Sequence, residues 1–195
     1  DGIASRGLGD VYKRQDYSVK LKEGLSPKKI IKNEIKESEL FYQIREASQI
    51  AYKSLDLENG GIKSNQKFHL PSLIDFFQKS GVQFTEKKYL DFVDLTLKNI
   101  AYGGINDHID GGLHRYTVDS IWHIPHFEKM LYDNAQMLSV FSKAYKRNND
   151  KVYKKLVDNI FDFVENNLTA NNDLIFSSIS ACLLYTSDAA DDVVG

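Results

Sequence analysis

Residues 101–136 read AYGGINDHIDGGLHRYTVDSIWHIPHFEKMLYDNAQ. This stretch holds four of the five histidines, His108, His114, His123 and His126, and the only tryptophan, Trp122. It also carries two Gly-Gly pairs and the acids Asp107, Asp110, Asp119, Glu128 and Asp133. About 20 of its residues separate two helical patterns, and structureless connections that long in a compact domain are commonly functional. The aromatic side chains and glycine pairs argue against simple disorder.

On both sides of this stretch the pattern is helical. Ser26-Pro27 is an N-cap followed by proline at the first helical position, opening a short helix to about Lys36. Ser38 caps a longer helix with Leu40, Phe41, Ile44, Ala47, Ala51 and Leu55 in the 3.6-residue period. Pro71 opens a helix that stops near Gly81, and Thr85 caps the next, with Tyr89, Val93, Leu97 and Ile100 in register. Pro125 is read as opening a long helix through Tyr145, and Asp150 as capping a last one from Tyr153 to Leu168. The apolar stripe of that last helix is wide, which predicts burial between neighbours. Three helix ends echo one another: Asn59-Gly60-Gly61-Ile62, Tyr102-Gly103-Gly104-Ile105 and Asn171-Asn172-Asp173-Leu174-Ile175. Glycine or asparagine there accepts a left-handed cap, and the recurrence suggests stacked helical hairpins with elaborated loops on one face.

Composition bounds the function. Over 195 residues, 42% are hydrophobic and 27% charged, the mixture of a soluble globular protein. A net charge of −2 argues against electrostatic capture of nucleic acid. One cysteine rules out an intramolecular disulfide, a CxxC pair or a cysteine zinc site. No apolar run approaches the roughly 20 residues of a membrane span, and the N-terminus lacks a signal-peptide stretch, so a cytoplasmic location is expected. Residues 1–15 (DGIASRGLGDVYKRQ) and 182–195 (CLLYTSDAADDVVG) differ in texture from the rest. Both resemble translated sequencing adapters and read as non-native tails around a domain at 16–181, with native disordered termini as the alternative.

A helix beginning at Pro125 would put His126, Lys129 and Asp133 on one side, and Glu128 and Tyr132 on a second line. Asn134, four residues after Met130, would be buried and therefore hydrogen-bonded, fixing a loop. The helix N-terminus would offer an anion or a sugar hydroxyl its free N–H groups. Trp122 suits either plain core or stacking on a sugar ring. His114-Arg115-Tyr116 can equally staple the loop, His126 and Glu128 can form a structural pair, and His69 reads as structural. The HxxHxE spacing of His123, His126 and Glu128 matches no strong zinc pattern. On a helix His126 and Glu128 would also diverge by about 200°, so no metal is expected. No phosphate loop or nucleophile elbow occurs, and no cofactor is expected.

The run Gly103-Gly104-Ile105, Asp107, Gly111-Gly112-Leu113-His114-Arg115-Tyr116, Val118-Asp119, Trp122 and 125–135 resembles a signature of the thioredoxin-domain-containing proteins related to spermatogenesis-associated protein 20. Upstream, Gly60-Gly61, Lys67-Phe68 and Pro71 resemble a glycine- and proline-rich segment of that family, and the resemblance extends from about residue 38 to 179. It implies an all-α fold, a partial (α/α)6 barrel similar to N-acylglucosamine 2-epimerases and six-hairpin glycosidases. Such a part would be an open arc of helical hairpins with short extended loops on one face. It further implies a thioredoxin-like domain as partner in the intact protein. This chain departs from the family pattern at Gln66 and His69, where prolines are expected, and again after Ser177-Ser178-Ile179, where an acid is lost.

The resemblance also suggests carbohydrate chemistry. Epimerisation beside a carbonyl needs groups that remove and return a proton near neutrality, and histidine suits this. His114 and His126, with Glu128, are then the catalytic candidates. Arg115, Lys129, Asp133 and Asp107 would hold polar substrate groups, while Tyr116 and Trp122 would stack. A glycoside hydrolase is the alternative enzyme, drawing on Asp107, Asp110, Asp119 and Glu128. Such chemistry needs two carboxylates about 5–5.5 or 6.5–9.5 Å apart. A ligand-binding barrel serving a thioredoxin-like redox domain is the non-catalytic alternative. The fragment itself is expected to be inactive and to expose apolar side chains around Ile160, Phe161 and Val164.

Overall fold

The computed structural model describes residues 36–170, 172 and 174–181. The readings of both chain ends, of the helix opened by Ser26-Pro27, and of Asn171 and Asp173 lie outside the described residues. The chain divides into two units, Asp1–Leu40 and Phe41–Gly195. Of the first unit only residues 36–40 are described, and everything below concerns the second.

Among the described residues five helices carry the fold: α1 (Glu37–Tyr52), α2 (Pro71–Gln83), α3 (Lys87–Tyr102), α4 (Leu131–Asn148) and α5 (Lys151–Phe163). The last continues into a π-helical turn, Val164–Leu168. The strands are two residues each: β1 (Lys67–Phe68), β2 (Tyr116–Thr117), β3 (Pro125–His126), β4 (Lys129–Met130) and β5 (Ser178–Ile179). β1, β2 and β3 form an antiparallel sheet in that order, and β4 pairs with β5. Helices α2 and α3 make one packed pair and α4 and α5 another; α2 also lies on α4 and α3 on α5. The result is two hairpins side by side, as expected of an (α/α) barrel arc.

Local sequence explains most boundaries. Pro71 sits in the first turn of α2, where its missing N–H costs nothing. Asp150 caps α5 by accepting from the Val152 amide at 3.0 Å, and Asn149 ends α4 in the left-handed region at φ 57°. Each odd-numbered helix is followed by a turn closed by one isolated bridge: Leu55↔Ile62 after α1, Asn106↔Leu113 after α3, Thr169↔Ile175 after α5. Loops do recur at helix ends, but not in the expected register: Gly60-Gly61 correspond to the left-handed Gly111-Gly112 and not to Gly103-Gly104.

Several expectations need correction. Glu37, not Ser38, begins α1, and Glu86 rather than Thr85 precedes α3, with no side-chain cap. The largest error concerns Pro125. The chain from Pro125 to Met130 is extended, because Pro125 and His126 pair with Thr117 and Tyr116 across β2, while Lys129 and Met130 pair with β5. Helix α4 starts at Leu131, whose amide donates to the Ser177 carbonyl at 2.9 Å. The helical line of His126, Lys129 and Asp133, and the anion site at that helix start, therefore do not exist. Gly103 adopts φ −75°, not a left-handed cap. Glycine is needed there because a Cβ would run into the carbonyl oxygen and Cβ of Trp122.

The core joins both hairpins through Phe77, Tyr89, Phe92, Leu97, Phe141, Tyr153 and Ile160. Phe77 sits at its centre, edge-on to Tyr89 at 5.2 Å and to Phe92 at 5.5 Å between ring centroids. Each such buried side chain stabilises by about 1.5–3 kcal/mol. On α5 the apolar stripe is only partly covered: Ile160 is buried, against expectation, whereas Phe161 is 53% exposed. A second exposed apolar surface includes Phe41 and Val82, beside a groove that also takes in Ile44 and Phe84.

Candidate active site

Two loops are built alike. After α1 the chain runs Asp56-Leu57-Glu58-Asn59-Gly60-Gly61-Ile62, and after α3 it runs Asp107-His108-Ile109-Asp110-Gly111-Gly112-Leu113. In the first, Asp56 Oδ1 accepts from the amides of Glu58 and Asn59 at 3.0 and 2.9 Å. In the second, Asp107 Oδ1 accepts from Ile109 and Asp110 at 2.9 and 3.0 Å. A buried lysine closes each turn. Lys67 Nζ donates to Asp56 Oδ2 at 2.7 Å and to the Gly60 and Ile62 carbonyls at 2.8 Å. Lys129 Nζ donates to Asp107 Oδ2 at 2.6 Å and to the Gly111 carbonyl at 2.8 Å. The glycine amides are held in parallel ways, Gly61 by Thr96 Oγ1 and Gly112 by Asn159 Oδ1. Burial would raise both aspartates, but the lysine and amide hydrogen bonds outweigh it and hold each carboxyl at about 2.

The second loop presents His114. Its side chain lines a cavity of about 540 Å³ together with Asp107, His108, Phe127, Lys129 and Phe163. His114 Nδ1 lies 3.3 Å from the Phe127 carbonyl oxygen. A carbonyl only accepts, so Nδ1 carries the hydrogen and Nε2 keeps its lone pair. Nε2 is 3.9 Å from Asp107 Oδ2. Burial, then the Lys129 ammonium, lower the imidazole below the ordinary histidine range, against the Phe127 hydrogen bond and Asp107. The ring is thus a neutral base facing a cavity.

The remaining candidates separate into four groups. Arg115 Nη1 donates to Glu128 Oε2 at 2.8 Å, and Asp133 senses both of them. Burial lifts the Asp133 carboxyl to about 6, with Arg115 opposing and Glu128 adding to the rise. Tyr116 and His126 stack at 4.8 Å, and Phe68 stacks on the other side of Tyr116 at 4.9 Å. Both faces of the Tyr116 ring are therefore covered by protein, which corrects its expected role as a stacking platform. Trp122 is wholly buried, and its indole N–H donates to the Asn59 carbonyl at 2.7 Å. It is a core residue, not a sugar platform. Lys129 is also corrected: its ammonium is buried, bonded to Asp107 and Gly111 and 4.6 Å from the Phe163 ring centroid, so its first role is to close the turn.

Of His114, Arg115, His126 and Glu128, only His114 lines the cavity. Asn134 behaves as expected: it is buried, accepts from the Leu113 amide at 2.7 Å and donates to the Leu113 and Met130 carbonyls. Among the acids considered for hydrolysis, Asp107 is committed to its turn, and Asp119 accepts from the amides of Ile121, His123 and Ile124. Glu128 and Asp133 remain the acids that neighbour each other. The sequence reading took Asp133 as a substrate-binding acid and not as a proton carrier, because the burial that raises its carboxyl and the approach of Glu128 and Arg115 come from tertiary packing. The lysine locks left a readable trace, the repeated Asp-x-x-(Asn/Asp)-Gly-Gly-(Ile/Leu). Among the described residues, no group of three or more His, Cys, Asp or Glu side chains could hold a metal ion, and no helix is long and apolar enough to cross a membrane.

No protein-family model matches the chain. Among curated proteins, spermatogenesis-associated protein 20 of Rattus norvegicus and of Homo sapiens are each 35% identical over 130 residues, 65% of this chain. The match spans 16% of either relative. Among solved structures, a sugar epimerase from a ruminal bacterium superposes with TM-score 0.61 at 19% identity, covering 73% of this chain and 40% of that one. A D-mannose isomerase gives TM-score 0.61 at 14% identity, covering 75% and 40%. An unsaturated glucuronyl hydrolase specific for heparin gives 0.59 at 10%, covering 69% and 41%. The chain is thus, over its matched residues, a homologue of part of spermatogenesis-associated protein 20, folded as a partial (α/α)6 barrel of the kind found in sugar epimerases and isomerases.

Proposed function

We propose that this chain forms part of a carbohydrate-active barrel whose loop face takes a sugar-like ligand, with His114 as a general base in epimerase- or isomerase-type chemistry. The observation that carries this reading is the neutral His114 ring, its Nδ1–H held by the Phe127 carbonyl and its Nε2 free on a cavity of about 540 Å³. In such chemistry the base takes the proton from the carbon beside the sugar carbonyl and a proton is then returned to that carbon or its neighbour. The half-buried Asp133, raised to about 6, is a group able to carry a proton near neutrality. The fold shared with a sugar epimerase and a D-mannose isomerase supports the reading. We place the reaction in the cytoplasm. Since the chain covers about two-fifths of those barrels, we expect no turnover from it alone.

The test uses a longer relative carrying the same residues. It is supplied with aldoses, ketoses and cellobiose-like disaccharides in deuterated water. Incorporation of deuterium beside the carbonyl is expected, with at least a hundredfold loss when the residue matching His114 is replaced by Gln. Unchanged exchange in that variant refutes the base role. A second reading is supported by the internal pairing of Arg115 with Glu128 and Lys129 with Asp107, which leaves few free charges. In that reading the barrel binds a ligand for a thioredoxin-like domain without turning it over. Sugar binding without exchange would favour it.

A further inference from the structure

The two lysine locks share their hydrogen bonds but not their neighbours. Seven residues after Asp56 stands Lys63, which is exposed; seven residues after Asp107 stands His114, which is buried. The first lock therefore shows what the motif does for the backbone alone. In the second, Asp107 Oδ2 lies between two nitrogens, 2.6 Å from Lys129 Nζ and 3.9 Å from His114 Nε2. We propose that the Lys129–Asp107 pair keeps His114 in the neutral form with Nε2 open to the cavity, making Lys129 a positioning residue for the base. This rests on the base role assigned to His114 above.

The physical reasoning concerns one carboxylate. The titratable groups that act on His114 are Asp107 on the turn after α3, Lys129 on β4 and His126 on β3, while His69 just after β1 faces it and is itself shifted by it. Asp107 is the only anion among them. Left alone, it would draw a proton onto Nε2 and close an imidazolium–carboxylate pair, which has no lone pair to offer. Lys129 occupies that carboxylate and adds its own positive charge against protonation. A lock serving only the backbone has no such effect on the histidine.

The experiment is a pH titration of the histidine ring nitrogens by NMR on the 195-residue chain, which reports both protonation and tautomer and needs no turnover. In the unaltered chain His114 should titrate below an ordinary histidine, with the proton on Nδ1. Lys129→Met should raise its midpoint by about one pH unit or more, because Asp107 is released. Asp107→Asn keeps the oxygen that accepts the Ile109 and Asp110 amides, and should lower the midpoint further. Lys129→Arg should keep the original value, and Lys67→Met should leave it unmoved. Opposite shifts in Lys129→Met and Asp107→Asn support the proposal. Movement of both towards the ordinary histidine value, or of neither, overturns it. If circular dichroism shows Lys129→Met unfolded, Asp107→Asn decides alone, and a rise or no change there is fatal. Absence of sugar chemistry in a longer relative leaves these shifts unaltered, so the two failures are distinguishable.

Discussion

The loop at 55–67 and the loop at 106–129 start from the same plan and end differently. Each places an aspartate at the head of a turn, two left-handed glycines at its close and a buried lysine beneath it. The first reaches its lysine after four residues, 63–66. The second makes a long excursion, 114–128, before Lys129, and that excursion holds His114, Arg115, Trp122, His126 and Glu128. The shared hydrogen bonds of the two turns hold the backbone, while the longer connection of the second places the candidate site residues.

Removal of the lysine beneath the turn should have the largest effect. Lys67→Met leaves Asp56 with no cation in a site where both partners are shielded, 1% and 13% exposed. A loss of about 3–5 kcal/mol is expected from urea unfolding. Lys129→Met should cost a similar amount if the locks are equivalent; a difference above about 2 kcal/mol would divide them. Next in size are the glycines. At Gly61 and Gly112, with φ +69° and +75°, a Cβ would press on the Trp122 and Phe163 rings respectively. Alanine at Gly112 should cost about 2–4 kcal/mol from left-handed strain and overpacking, with Gly61→Ala close behind. Unchanged melting of either variant contradicts the packing described.

A further effect concerns pH. His69 follows Lys67 by two residues, where the position two after Lys129 is Leu131. Burial, then the neighbouring His114, push its pKa down to about 3 from the usual 6.5. Between those values the unfolded chain binds a proton that the folded chain refuses, so stability falls as pH falls from 6.5. One such group contributes a slope of up to about 1.4 kcal/mol per pH unit. His69→Leu should remove one proton's worth of that slope. Below about pH 4 a further loss should remain in this variant, because Asp56 and Asp107, held at about 2, stabilise the fold only while ionised. Unfolding midpoints measured from pH 7 to pH 4 decide it; an unaltered slope removes His69 from the account.

Much of the helical frame was legible. Pro71, Asp150 and the periodic residues of α2, α3 and α5 act locally, and local signals survive without tertiary knowledge. Asn134 was legible too, because a polar residue on an apolar line must find partners. Pro125 misled because a two-residue strand has no period to read. Its conformation is decided by Tyr116 and Thr117, which pair with it from earlier in the chain. Trp122 was undecided in sequence for a related reason. Its burial depends on Asn59 and Gly61, in the other loop. His114 was identified from its residue type, but the partners that make it a base, Phe127, Asp107 and Lys129, were not.

Trp122 has one more consequence. It is the only tryptophan in the chain, it leaves the second loop at φ 67°, and it ends against Gly61 and Asn59 of the first. The molecule thereby carries its own optical gauge at the joint between the two repeats. Lifting of the long excursion would expose the indole to water and redden its emission while the helices still gave their full dichroism. Loop undocking and global unfolding thus have separate spectroscopic signatures in the unlabelled chain.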